Sequence, residues 1–244
     1  MSGNLKYAIF TDVGSRSVNE DCVGVFQNGK YNCYILCDGL GGHGMGDIAS
    51  SVVVNSFGEQ FAKTEKLVGF LGQAFTIAQN TLIGEQKVHN AKRKMKTTCV
   101  TVVVDEKKVY LGHIGDSRCY IFYKNKIKLR TFDHSIPQML VFSKEIKENQ
   151  IRNHPDRNML LRVMGTEWDD AEYELMSPIS LKKCQAFLLC SDGFWELIDE
   201  DQMCAQLKKS SSVEEWLDSM REIVKVNGQD KNMDNYSAIA VWNT

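Results

Sequence analysis

The chain has 244 residues, with 29 Lys or Arg against 31 Asp or Glu, and its formal net charge at pH 7 is -2. Because acids and bases nearly balance and no long basic run occurs, the composition argues against nucleic-acid binding through phosphate neutralisation. A chain of this length suits one large domain or two small ones. We find neither a low-complexity linker nor an internal repeat, so we expect a single domain over residues 1–244.

The cysteine pattern indicates a reducing environment. The chain has eight cysteines, none in a C-x-x-C pair, and most lie in apolar runs such as the one ending at Cys37. Buried, reduced cysteines behave in this way, as small apolar residues. The N-terminus lacks the pattern of a secretory signal, and no apolar run approaches the roughly 18 residues of a membrane span. We therefore expect a soluble, cytoplasmic protein without a membrane span.

The first third of the chain combines strands with helices. Aromatic and β-branched residues separated by turn residues predict strands at 7–11, 22–27 and 31–37. Asn28-Gly29 is a hairpin signal between the second and third of these strands. Apolar residues at helical spacing then predict helices at 47–63 and 66–88.

The remainder begins with consecutive strands and ends with helices and one strand. We predict strands at 98–104, 109–114, 118–123, 126–131, 186–190 and 237–242, and helices at 136–149, 199–208 and 213–226. Two adjacent helices followed by a run of strands do not match an alternating, doubly wound fold. The order instead indicates an α+β fold with mostly antiparallel sheets covered by helices.

Four aspartates stand at the ends of apolar strands or beside them. Asp38 and Asp192 each follow such a strand and precede a glycine, Asp116 follows Gly115, and Asp234 lies just before the last strand. Carboxylates that converge at a sheet edge repel one another unless a cation lies between them, and hard oxygen ligands select Mg²⁺, Ca²⁺ or Mn²⁺. The alternative is ordinary Asp-Gly turn chemistry, and these residues alone leave both interpretations open.

A series of short motifs decides between them. They run in order along the chain as Thr11-Asp12-Val13-Gly14-Ser15-Arg16 with Asn19-Glu20-Asp21, Cys37-Asp38-Gly39-Leu40-Gly41-Gly42-His43, Thr97-Thr98, Gly115-Asp116-Ser117-Arg118, Asp133-His134-Ser135, Asn158 to Gly165, Ser191-Asp192-Gly193 and Asp234-Asn235. In this order and over nearly the whole chain, the sequence resembles the metal-dependent protein phosphatases of type 2C. The Gly-Leu-Gly-Gly-His form is more similar to the bacterial branch than to the animal one.

The resemblance implies a metal centre that holds two Mn²⁺ or Mg²⁺ ions and a third, weaker one. Asp38 would bridge two ions, Asp192 and Asp234 would complete one site, and Glu20 with the carbonyl of Gly39 would serve the other. Asp21 would support these ligands through water, and Asp116 would help to bind the third ion. Arg16 would grip the substrate phosphate with its planar fork of donors.

The implied reaction is hydrolysis of phosphoserine and phosphothreonine in proteins by attack of a metal-bridging hydroxide, with Arg16 and Asp38 as the catalytic residues. Such an enzyme would act on phosphorylated proteins and reverse a cognate serine/threonine kinase in signalling. The chain lacks the C-x₅-R loop of cysteine phosphatases, since no cysteine has an arginine at that spacing.

The identity of the residue that donates a proton to the leaving group stays open. In the animal branch a histidine directly after Asp-Gly is the proposed general acid, but Leu40 holds that place here. His43 is a candidate proton donor nearby, and capping of the following helix is the alternative. His134 is expected to order a strand end rather than to act in catalysis.

The resemblance also implies an architecture. We predict a four-layer α-β-β-α sandwich in which two mostly antiparallel sheets are flanked by helices. The metals should lie at one end of the cleft between the sheets. Residues 136–159 should form a flap beside that cleft and influence substrate choice.

Two other functions compete with this interpretation. Residues 39–44 also match the G-x-G-x-x-G dinucleotide fingerprint, with Glu59 placed 20 residues after Gly39. That motif requires a β-α-β unit, whereas the sequence predicts a second helix after the first. The other competitor is a catalytically inactive relative that only binds a partner, but all four aspartates that such a relative would lose are present.

Overall fold

The computed structural model describes residues 5–40, 44–92 and 94–243. The strands are β1 (Leu5–Asp12), β2 (Asp21–Asn28), β3 (Tyr31–Leu40), β4 (Lys96–Thr97), β5 (Cys99–Val104), β6 (Lys108–Ile114), β7 (Arg118–Tyr123), β8 (Lys126–Arg130), β9 (Glu174–Leu175), β10 (Ile179–Ser180), β11 (Ala186–Cys190) and β12 (Tyr236–Asn243). The α-helices are α1 (Gly46–Ala62), α2 (Phe70–Val88), α3 (Ile136–Phe142), α4 (Asp192–Trp195), α5 (Glu200–Lys209) and α6 (Val213–Gly228). Short 3₁₀ helices lie at Glu148–Asn153 and Leu181–Lys183.

The strands form two sheets. The first has the order β1-β12-β11-β7-β8, and the second has the order β10-β6-β5-β3-β2, with β4 added beside β3 and β9 beside β6. Neighbouring strands in both sheets run antiparallel. The first and last strands are neighbours in the first sheet, where β1 pairs with β12 along its whole length.

Alternate side chains of the central strands point to opposite faces of each sheet, and this produces two kinds of apolar core. In β3, Cys33, Ile35 and Cys37 pack in one core with helices α1 and α2. The intervening Tyr34 and Leu36 pack in a second core that lies between the sheets. Successive strand residues point to opposite faces, so a strand covered on both faces must be apolar almost throughout.

The first sheet repeats this pattern. Ala186, Leu188 and Cys190 of β11 pack against α4, α5 and α6, whereas Phe187 and Leu189 enter the core between the sheets. The layers therefore run helices, sheet, sheet, helices, and the predicted four-layer sandwich is confirmed.

Strand β3 extends beyond its predicted end. The sequence-based prediction placed Asp38 just after a strand ending at residue 37, but β3 continues to Leu40. The extension is stabilised by β4, in which Thr97 and Lys96 pair with Gly39 and Leu40. Since even-numbered residues of β3 face the other sheet, the Asp38 side chain enters the gap between the sheets at its end.

The single helix predicted at 136–149 is wrong in extent. Helix α3 ends at Phe142, Lys144 follows in the left-handed conformation at φ 65°, and a 3₁₀ turn begins only at Glu148. A residue at positive φ cannot continue a right-handed helix, so the helix ends before Lys144 although the sequence pattern continues to residue 149.

Helix α2 follows α1 with no strand between them. The β-α-β unit that a dinucleotide fingerprint requires is therefore not formed, and that alternative is rejected. Among the described residues, no helix has both the length and the apolar character to cross a membrane.

Candidate active site

A cleft of about 510 Å³ lies at one end of the gap between the sheets. Its lining residues are Arg16, Ser17, Val18, Glu20, Asp38, Gly39, Leu40, Gly44, Asp116, Asn158, Leu160, Asp192, Asp234 and Asn235. All the predicted site residues line this cleft except Asp21, which lies behind it, and His43, which lies outside the described residues. The structure thus brings together acids from widely separated parts of the chain.

The backbone of Asp38 is clamped by two threonines. Its N–H donates to Thr98 Oγ1 at 2.9 Å, and its carbonyl oxygen accepts from Thr97 Oγ1 at 2.8 Å and from the Thr98 N–H at 2.8 Å. With its backbone held in this way, the Asp38 carboxylate has a defined position at the cleft. The sequence presented Thr97-Thr98 only as a motif, and the structure gives it this positioning role.

Glu20 and Gly39 meet at a very close backbone approach. The Gly39 N–H donates to the Glu20 carbonyl at 3.1 Å, and Ser50 Oγ donates to the same oxygen at 2.7 Å. A Cβ at Gly39 would lie 2.2 Å from the carbonyl oxygen of Gly46, at the start of α1. Glycine is required at 39 because backbone atoms occupy the space of a side chain.

Asp116 lies in the tight turn between β6 and β7. Gly115 precedes it at φ 99°, a backbone conformation that favours glycine. The Gly115 N–H donates to His134 Nδ1 at 3.2 Å, and its carbonyl accepts from the His134 N–H at 3.0 Å. His134 is not among the residues that line the cleft, and its two bonds hold the glycine that precedes Asp116.

Asn235 joins several parts of the site and was not assigned a role from the sequence. Its side-chain oxygen accepts from the Glu20 N–H at 2.8 Å. Its side-chain amide donates to the carbonyl oxygens of Val13 at 2.8 Å and Val18 at 3.0 Å. Asn235 therefore fixes the loop that carries Arg16, and its place directly after Asp234 was the only signal in the sequence.

Arg16 and Asp234 form an ion pair at the mouth of the cleft. Arg16 Nη2 lies 2.9 Å from Asp234 Oδ2, and both side chains are nearly half exposed. An exposed ion pair of this kind contributes little to the free energy of unfolding, and its main effect is to orient the Arg16 guanidinium.

Asp21 lies behind the cleft, directly opposite Asp38 in the register of β2 and β3. Ser191 Oγ donates to Asp21 Oδ2 at 2.8 Å and accepts from the Ser237 N–H at 2.9 Å. Asp21 Oδ1 is buried and has no hydrogen-bond partner among the described residues. A buried oxygen without a partner is costly, which favours a ligand or water at this position.

Burial and mutual repulsion raise the pKa values of the acids. Burial raises the pKa of Asp21 to about 7 and that of Asp192 to about 6, with neighbouring aspartates acting in the same direction. The pKa values of Asp38 and Asp116 lie well above their usual range, first through burial and then through the other carboxylates. Burial also raises the pKa of Glu20.

These residues fit divalent cations. The cleft offers several carboxylates and a backbone carbonyl, which are the hard oxygen donors that Mg²⁺ and Mn²⁺ prefer. A cation would relieve the repulsion that raises these pKa values and would attract the unpaired Asp21 oxygen. Aspartates that only form exposed Asp-Gly turns would show neither the raised pKa values nor a buried oxygen without a partner.

Comparison with known proteins agrees with this geometry. The family model described as Protein phosphatase 2C matches residues 13–236. The serine/threonine phosphatase stp of Listeria welshimeri serovar 6b is 31% identical over 240 residues, which cover 95% of this chain and 93% of the relative.

Solved structures extend the likeness to the whole fold. The serine/threonine phosphatase Stp1 of Staphylococcus aureus superposes with a TM-score of 0.91 at 28% identity, covering 100% of this chain and 97% of that one. The catalytic domain of the phosphatase PstP, solved in complex with two manganese ions, has a TM-score of 0.81 at 23% identity and covers 98% of this chain and 97% of that one. With its family match, its relatives and its carboxylate-lined cleft, the chain belongs to the protein phosphatase 2C family of metal-dependent serine/threonine phosphatases.

Proposed function

We propose that this phosphatase hydrolyses phosphoserine and phosphothreonine in proteins at the carboxylate-lined cleft, with two Mn²⁺ or Mg²⁺ ions as cofactors. The observation that carries the proposal is the convergence of Glu20, Asp38, Asp192 and Asp234 on one cleft beside Arg16. The raised pKa values of the buried acids support a cation between them.

The proposed ligand sets are those that the resemblance to the family implies, and the residues concerned line one cleft. Asp38 would be shared between two ions, Asp192 and Asp234 would complete one site, and Glu20 with the Gly39 carbonyl would complete the other. Divalent cations supply a nucleophile by lowering the pKa of a water that they hold. Asp21 acts through water, which suits its buried position behind the cleft and its unpaired oxygen.

Asp116 is proposed to hold a third, weaker ion. It lines the same cleft but comes from the β6–β7 turn, apart from the other acids in sequence. Its pKa is raised by burial and then by Asp192 and Asp133, so a cation would stabilise its charged form.

Arg16 is proposed to bind the substrate phosphate. Its guanidinium lies at the mouth of the cleft, where Asp234 orients it. Arginine presents parallel N–H donors that match two phosphate oxygens, and bidentate contacts of this kind are strong and directional. Arg16 would therefore place phosphorus beside the cations.

Residues 136–159 are proposed to act as a flap within a single domain that spans residues 1–244. Ile136 donates its N–H to the carbonyl oxygen of Met159, so the segment begins and ends at one point. Asn158, near its end, lines the cleft. A segment anchored at its root and placed beside the site suits substrate selection.

The proposed setting is cytoplasmic signalling, in which a cognate serine/threonine kinase supplies the phosphorylated substrates. All eight cysteines are free, and six of them are buried. Free thiols in this number suit a reducing compartment.

The test is phosphatase activity of the purified chain on p-nitrophenyl phosphate and on phosphothreonine peptides. We expect turnover that requires Mn²⁺ or Mg²⁺ and stops with EDTA. Asp38→Asn and Asp192→Asn should abolish turnover with an unchanged circular dichroism spectrum. Asp201→Asn, an exposed acid on α5, is the matched control and should keep full activity.

Two results would contradict the proposal. Near-normal activity in Asp192→Asn would reject the metal assignment. Phosphopeptide binding without any turnover would favour the inactive relative that only binds a partner.

A further inference from the structure

A second pocket adjoins the catalytic cleft, and we call it the side pocket. It has a volume of about 290 Å³ and is lined by Arg16, Arg157, Asn158, Asp192, Gly193, Glu196, Leu197, Lys231, Asn232, Met233 and Asp234. Four of these residues, Arg16, Asn158, Asp192 and Asp234, also line the cleft. The two spaces therefore share a wall, and a peptide bound in the cleft could extend directly into the side pocket.

The side pocket carries three cationic side chains. Arg16, Arg157 and Lys231 face three acids, Asp192, Asp234 and Glu196. Asp192 and Asp234 are the proposed cation ligands, so bound ions would neutralise them. Since Arg16 is assigned to the substrate phosphate, Glu196 would then be the one uncompensated acid among the described lining residues, facing Arg157 and Lys231, and the pocket would attract an anion.

Two of these cations keep donors available. Arg157 contacts Glu196 through its Nε, at 3.0 and 3.2 Å from the two carboxylate oxygens, and its terminal nitrogens donate no hydrogen bond to an acid among the described residues. The ammonium of Lys231 forms no ion pair with any acid in the part of the chain that the structure describes.

The loop that carries Lys231 is tied to the loop of Arg16. The Ser15 N–H donates to the Met233 carbonyl at 3.0 Å, and the Met233 N–H lies 3.2 Å from Ser15 Oγ. The Lys231 N–H in turn donates to the Gly228 carbonyl at 3.0 Å. Lys231 is exposed, but its backbone is held on both sides, so the residue is anchored in the lining that it shares with Arg16.

The size of the side pocket limits its ligand. Sites for drug-sized molecules span roughly 300–1,000 Å³, so this pocket suits one side chain. An extended peptide advances about 3.3–3.6 Å per residue, so a pocket that shares a wall with the cleft is reached by a residue next to the phosphorylated one.

We propose that the side pocket, through Arg157 and Lys231, binds an anionic side chain adjacent to the phosphorylated residue of the substrate. The anion is a carboxylate or a second phosphate. This inference rests on the proposed function, since it concerns the substrate of the same cleft. It makes this phosphatase selective for sites flanked by negative charge.

The experiment compares phosphothreonine peptides that carry Glu, phosphoserine, Ala or Lys at the neighbouring positions, with Mn²⁺ present. For the wild type we expect a KM about fivefold lower with Glu than with Ala, an effect of the size of one partly exposed charge contact, with similar kcat. A KM lower with phosphoserine than with Glu would identify phosphate as the preferred ligand, a KM lower with Glu would identify a carboxylate, and equal values below that of the Ala peptide would show that the pocket accepts either anion.

Charge reversal separates a binding role from a structural one. Lys231→Glu should invert the preference, so that the Lys-flanked peptide has the lower KM, and Lys231→Ala and Arg157→Ala should remove most of it. The matched control is Lys208→Glu, the same change at an exposed lysine of α5 that does not line the side pocket, and it should keep the wild-type preference.

The small substrate p-nitrophenyl phosphate separates this inference from the proposed function. Turnover of it with equal KM values for all four peptides would overturn the side-pocket assignment alone, as would a preference for Glu that survives in Lys231→Glu. A wild-type enzyme that turns over neither p-nitrophenyl phosphate nor any peptide would overturn the proposed function and this inference with it.

Discussion

The indole Nε1–H of Trp195 donates a 3.0 Å hydrogen bond to the backbone carbonyl of Asp116. Trp195 ends the single turn of α4 that begins with Asp192, so this bond joins the two acids through one short element. The guanidinium of Arg118 stacks on the Trp195 ring at 3.4 Å and is paired with Asp133 at 2.6 and 2.8 Å. The turn of Asp116 and the helix of Asp192 are thus linked through the Trp195 indole, which Arg118 covers on one face.

Removing that hydrogen bond should weaken both stability and metal response. In Trp195→Phe the buried carbonyl of Asp116 loses its donor, which costs about 1–3 kcal/mol of unfolding free energy. We also expect half-maximal activation to need several times more Mn²⁺, because the position of Asp116 is loosened. Urea denaturation and Mn²⁺ titrations of activity measure the two effects.

Trp242→Phe is the control for the loss of ring volume. The indole nitrogen of Trp242 is buried and has no hydrogen-bond partner among the described residues, so this variant loses packing but no hydrogen bond. An unchanged Mn²⁺ requirement in Trp195→Phe would show that the indole does not position Asp116.

The stability of the metal-free protein should depend on the protonation of Asp21. Its pKa is raised from 3.8 to about 7 by burial, so the folded state keeps a proton that the unfolded state has already released. The stability that this proton contributes is complete below about pH 4 and is lost as the pH rises through about 7. Asp21→Asn removes this dependence.

We therefore expect the unfolding free energy of Asp21→Asn, relative to that of the wild type in EDTA, to increase by about 2–4 kcal/mol as the pH rises from 4 to 8. Urea denaturation at several pH values measures the difference between the two proteins. Burial lowers the pKa of His134 to about 3, so its protonation makes stability rise with pH, opposite to the effect of Asp21. Both proteins contain His134, so its contribution is removed when the two unfolding free energies are subtracted. A difference that does not change with pH would show that Asp21 titrates normally.

The close approach at Gly39 predicts a strong effect of a single methyl group. Gly39→Ala should lower the unfolding free energy by several kcal/mol and abolish activity, because the new Cβ would lie 2.2 Å from the backbone oxygen of Gly46. Thermal unfolding and phosphatase assays measure both effects.

Gly84→Ala is the matched control within helix α2. A Cβ there meets no atom within 4 Å, and alanine is the better helix former by about 0.5–1 kcal/mol. We expect this variant to be slightly more stable and fully active. If Gly39→Ala were as stable as Gly84→Ala, the backbone approach between Gly39 and Gly46 would be wrong.

Arg16→Ala should impair binding of the phosphate more than folding. Its ion pair with Asp234 is exposed, so the unfolding free energy should fall by less than about 1 kcal/mol. A lost bidentate phosphate contact should lower kcat/KM about 10–100-fold, which corresponds to roughly 1.4–2.8 kcal/mol. Steady-state kinetics on p-nitrophenyl phosphate check this, and unchanged kcat/KM would exclude Arg16 from phosphate binding.

Local pattern was enough to predict most elements and the family motifs. The strands of residues 98–104 and 186–190 were predicted because strands buried on both faces are continuous apolar runs, which a short window of sequence reveals. Helix α4 was missed because its four residues, Asp192–Trp195, are too few to show a helical period. The short strand β4 was missed for the same reason, and with it the extension of β3 past Asp38.

The sequence by itself was enough to predict which residues carry the chemistry: the ordered motifs contain the acids, the arginine and the glycines, and these residue types suit oxygen ligation of a cation and hydrogen bonding to a phosphate. Only the tertiary structure decided how these residues meet. Asp21 and Ser191 are 170 positions apart and share a 2.8 Å hydrogen bond, and Asn235 holds the backbone of Glu20 from 215 positions away. Such contacts depend on the pairing of distant strands, because the energy of each comes from burial and register that no local segment contains.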